Sequence, residues 1–187
     1  MKKATTIQQL KGLAYFALGV AALLAFLTAA NRVPFLLHEG TMRSYVSVEE
    51  VRRELNISDI PMPSYIPESL IWPPAAILAQ TTPYEAVVIE FKGAGGAISL
   101  VIARSASEEF DHGRQIRLKD VRETAVHNLR GRNATIETGA CSDGLVCSRI
   151  WWNEEGHRII VIMRASTMEL LRIAESIIDS KPRVSDH

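Results

Sequence analysis

The sequence predicts an α+β domain held behind a membrane anchor, and three observations carry that expectation. Residues 12–30, GLAYFALGVAALLAFLTAA, hold no charge over 19 positions. Short runs rich in valine and isoleucine, divided by glycine turns, fill the middle and end of the chain. Two stretches, 47–56 and 166–178, show the apolar spacing of helices that cover a core. The expected sheet is mainly antiparallel, of about five to six strands, with both helices packed on it.

The anchor comes first in the chain. At a rise of about 1.5 Å per residue, residues 12–30 match a hydrocarbon core of about 30 Å. Lys2, Lys3 and Lys11 precede the run and no acid does, so residues 1–11 are expected in the cytoplasm and 31–187 outside. A cleaved secretory signal is the alternative, since Thr28, Ala29 and Ala30 are small residues of the kind that precede a cut. The run is longer than a signal core of about 7 to 15 residues, which favours the uncleaved anchor. A buried core helix would leave the lysine asymmetry unexplained. Ala17, Ala21, Ala25 and Ala29 recur every fourth residue, a ridge suited to close contact with another membrane helix.

Residues 31–60 read as a connector ending in a short helix. Ser47 and Glu50 have the spacing of a capping box, and Val48, Val51 and Leu55 share one face. Residues 61–180 form the outer domain. Its first part is rich in proline (Pro61, Pro63, Pro67, Pro73, Pro74, Pro83), which restricts the chain to extended conformations. Tyr65, Ile66, Leu70, Ile71 and Trp72 are interleaved, so a strap over the core is expected there in preference to a partner groove.

Strands are expected at 76–80, 85–92, 97–103, 122–129, 132–138, 145–152 and 157–164. Gly93-Ala94-Gly95-Gly96 reads as a hairpin turn, because a phosphate loop would need a strand feeding a helix. In the last strand Ile159, Val161 and Met163 alternate with Ile160 and Ile162, so both faces should be covered. Residues 166–178 close the domain as a helix, with Ser166 and Glu169 repeating the capping-box spacing. Residues 181–187 are an expected frayed tail.

Candidate chemistry is sparse. Beyond the anchor, acids outnumber bases, which argues against a nucleic-acid partner. Cys141 and Cys147 flank the turn Ser142-Asp143-Gly144, and on opposite arms of a hairpin they could meet the spacing a disulfide needs. That reading outweighs two free thiols and a redox pair. His38, His112, His127, His157 and His187 show no ligand spacing, and Glu108, Glu109 and Asp111 read as a solvated acidic loop. No catalytic, cofactor or metal residues are assigned, and no enzyme is expected. Trp151-Trp152 should divide between core and surface, and Trp72, Trp151 and Trp152 are the candidate binding surface.

The end of the chain carries a resemblance. Trp152-Asn153-Glu154-Glu155-Gly156, a strand, and then the run from Ser166 to Ser176 are similar to the C-terminal signature of the DUF4367 family. Tyr65-Ile66-Pro67-Glu68-Ser69-Leu70 resembles the family's opening segment. The resemblance implies an extracytoplasmic domain of a bacterial membrane protein, some of which are attached to anti-sigma-factor-like regions, with no catalytic residues. Only 11 residues precede the apolar run, so a sigma-binding part would have to come from another subunit. The expected function is an anchored binding, sensory or interaction domain with the bilayer and a protein as partners. An accessory subunit of a larger membrane complex is the alternative, and an envelope hydrolase the third.

Overall fold

The computed structural model describes residues 18–23, 28, 42–110 and 115–180. The chain divides into two units, Met1–Thr41 and Met42–His187. In the first, residues 18–23 and Thr28 are helical. Among the described residues no helix is long and apolar enough to cross a membrane. Most of the expected span 12–30 lies outside them, as do residues 31–41 of the expected connector, His38, Asp111, His112 and the tail 181–187.

The second unit is α+β, built on one antiparallel sheet. Its elements are β1 (Arg43–Tyr45), α1 (Val48–Leu55), β2 (Ala76–Gln80), β3 (Ala86–Lys92), β4 (Ile98–Ser105), β5 (Leu118–Leu129), β6 (Arg132–Cys141), β7 (Val146–Glu154), β8 (His157–Met163) and α2 (Thr167–Asp179). Spatial order is β1-β2-β3-β4-β8-β7-β6-β5. The sheet therefore has eight strands, which corrects the expected five to six. Three residues of β1, Arg-Ser-Tyr, are too few to show a period of two, which is why the sequence conceals that strand.

Two meanders make the sheet. β1 to β4 pair in sequence, the chain then crosses to the far edge, and β5 to β8 return until β8 lies against β4. β8 is thus central, and its alternate residues serve different cores. Ile159, Val161 and Met163 join the larger cluster, while Ile160 and Ile162 join the smaller one on the opposite face. The apolar run on both sides of that strand follows from its place between two covered faces.

The larger core is roofed by α2, α1 and the proline-rich segment. Ile57, Ile60 and Leu70 are buried in it, and Ser64 donates to the Ser176 carbonyl at 3.2 Å. Arg172 stacks over the Tyr65 ring at 4.7 Å. The segment is a strap, laced to α2 by side chains rather than by a sheet ladder. Its later part is tied to the hairpin, where Ile71 donates to the Lys92 carbonyl at 2.8 Å.

The two expected capping boxes differ in outcome. At α1 the Ser47 hydroxyl accepts from the Glu50 N–H at 3.2 Å, and Glu50 reaches past Ser47 to the Val46 N–H at 2.7 Å. At α2 the Ser166 side chain makes no cap bond, which corrects the second box. The acidic end of α2 is offset instead by Arg130, whose guanidinium lies 3.3 Å from Asp179 and 3.7 Å from Glu175.

Candidate interaction surface

The cysteines meet as the hairpin geometry requires. Cys141 closes β6, Cys147 lies in β7, and they form a disulfide with Cα atoms 5.4 Å apart. Both sulfurs belong to the smaller core, so the bridge staples the β6–β7 turn against that face. Asp143 in the same turn pairs with Arg164 at 2.8 Å.

The three tryptophans do not form one surface. Trp152 is fully buried in the larger core, with its Nε1 donating to Glu154 at 3.3 Å. Trp151 faces the other side, half-buried, with Arg158 stacked over its ring at 4.6 Å. Trp72 is 59% exposed and rests on Phe91, whose own side chain faces the larger core. The pair Trp151-Trp152 divides between faces as strand alternation demands. That division removes Trp152 from any binding surface.

A charged cluster lies where β4 ends and β8 begins. Arg104, 6% exposed, contacts Glu85, Asp59 at 3.6 Å and His157 at 3.1 Å. His157 in turn lies 3.4 Å from Glu85. The guanidinium is enclosed by two carboxylates and an imidazole, an arrangement that offsets the cost of burying it. Glu108 pairs with Arg158 at 2.9 Å, so part of the acidic loop is committed to an ion pair. Tyr84 meets Phe110 edge to face at 6.0 Å. Burial raises the Tyr84 hydroxyl above its ordinary value of 10.0, and the Glu109 carboxylate adds to the shift. Among the described residues no group of His, Cys, Asp and Glu is arranged to hold a metal ion.

The most open feature is a strand expected at 122–129 whose earlier start and exposure sequence reading did not identify. β5 is a twelve-residue strand at the edge of the sheet, exposed at every position between Leu118 and Leu129. Val126 is 77% exposed and Val121 46%. The strand is registered on β6 by ten residue pairs, with irregularities between Leu118 and Asp120 and between Val121 and Glu123. Lys119, Asp120, Arg122 and Glu123 put its charges near the bulges, and the remainder carries only His127 as a titratable group. The sequence signal was present in LKDVRETAVHNL. Neither alternate set is apolar, as expected of a strand open on both faces.

No protein-family model, curated protein or solved structure matches this chain.

Proposed function

We propose that this chain is a membrane-anchored domain on the outer side of the cytoplasmic membrane that acts by binding another protein rather than by catalysis. The observation that carries the reading is β5, a long edge strand with both faces open and two exposed valines. Proteins ordinarily shorten, cover or charge such edges, because an unpaired ladder templates pairing with another chain. Half of β5 carries no such protection. Strand addition would supply main-chain hydrogen bonds for affinity and let alternate side chains give specificity. The disulfide agrees with an oxidising compartment, and the lysines before residues 12–30 with the outward orientation.

The test is site-specific photo-crosslinking in intact membranes, with the reactive group at Val126 and a control at Arg53 on α1. A discrete protein adduct from Val126, missing from Arg53, is the expected result. Equal, diffuse labelling at both positions would remove β5 as an interaction site and the reading with it.

A further inference from the structure

The two edges of the sheet are finished differently. β1 offers three residues, too short a ladder to hold a further strand, whereas β5 offers twelve. Its register on β6 fixes which side chains share a face. Val121, Thr124 and Val126 lie opposite Gly139, Glu137 and Thr135, alternate residues of β6 on one face. Asp120, Glu123, Ala125 and His127 lie opposite Ala140, Thr138, Ile136 and Ala134 on the other. Lys119 and Arg122 are the residues skipped by the two irregularities. The charges thus sit in one half of the strand and the uncharged stretch in the other.

We propose that β5 pairs antiparallel with β5 of a second copy of this chain, about a two-fold axis at Thr124. The proposal deepens the reading above by naming the partner, and it rests on that reading. With the bulge residues passed over, this register sets Val121 of each copy against Val126 of the other on one face. On the opposite face it sets Asp120 against His127 and Glu123 against Ala125. The charged half of each strand meets the uncharged half of its neighbour, and no like charges stand opposite. Moving the axis to Glu123 would oppose two carboxylates, which is destabilising. Moving it to Ala125 would set each valine against a polar residue, asparagine or threonine. The axis at Thr124 alone matches valine with valine while keeping the acids apart.

Sedimentation velocity of the full chain in mild detergent tests this, using Asp120→Lys, His127→Glu and the double substitution. All three variants alter only exposed side chains. The wild-type chain is expected to dimerise with rising concentration. His127→Glu, which sets a second carboxylate opposite Asp120 twice per dimer, should weaken association roughly tenfold, and Asp120→Lys, which only removes the acid facing His127, should weaken it less. The double substitution, which restores opposite charges, should recover it. Thr124→Cys should crosslink to itself under oxidation. Val121→Cys should crosslink only when mixed with Val126→Cys. A monomer at every concentration, or a dimer indifferent to all of these changes, overturns the proposal. In the membrane experiment, an adduct from Val126 to a different protein would keep the interaction reading and end the self-pairing one.

Discussion

Gly139 shows how much a single position governs at the open edge of this sheet. A Cβ there would overlap the Asp120 carbonyl oxygen and press on the Val121 Cα, both backbone atoms of β5. Where β5 bulges, between Leu118 and Asp120 and again between Val121 and Glu123, it bends onto β6, and only a residue without a side chain leaves room. No rotamer change can relieve that overlap. Gly139→Ala is therefore expected to cost about 1 to 3 kcal/mol, the range of overpacking, read as a lower midpoint in urea unfolding. Loss confined to β5 would appear as faster amide exchange there with the central strands unchanged. An unaltered midpoint together with unaltered exchange would show that β5 does not lie this close to β6. The neighbouring tryptophans make the complementary point. Trp151 and Trp152 differ by one residue, yet one is sealed in the larger core and the other carries a stacked arginine.

At the scale of elements, the helices separate what sequence spacing can and cannot establish. Both carry serine followed three residues later by glutamate, yet only the Ser47 hydroxyl accepts a cap bond from its helix. Ser47→Ala should lower stability by about 1 kcal/mol, and Ser166→Ala should change it by much less. Paired denaturation curves decide the matter, and equal losses would mean that Ser166 caps α2 in solution. The same division runs through the sheet. β2 to β4 and β6 to β8 were legible because their residues alternate or fill both faces, a consequence of burial that composition records, and residues 122–129 of β5 through the turn that follows them. β1 was hidden by its length, and the start of β5 by its charges, since Leu118 to Glu123 has no apolar period to detect. The bulges there break the alternation as well. Candidate surface residues were legible only in part, because exposure depends on which face a strand presents. Sequence alternation shows that Trp151 and Trp152 oppose each other, but not which of them is roofed by α2. The cysteine pair was legible because a tight turn between two strands leaves few geometries.

For the folded domain as a whole, the order of strands sets where stability should reside. Among the described residues β4 and β8 are the only strands joining the two meanders, and both carry fully buried residues on both faces. Opening that ladder separates both cores at once, so its amides should exchange only through global unfolding. β5 is held by β6 on one side alone and exposes both faces. Its opening costs little buried area and should proceed while the centre stays closed. Native-state hydrogen exchange is therefore expected to rank Val101, Ile102, Ile160 and Val161 slowest and residues 123–128 of β5 fastest. Uniform protection across all eight strands would contradict this gradient. Concentration adds a second axis to the measurement. If β5 pairs with its own copy, amides pointing away from β6 gain protection as protein concentration rises, while those of β4 and β8 stay constant. A gradient that ignores concentration would leave the strand order as the account of stability and remove the dimer from it.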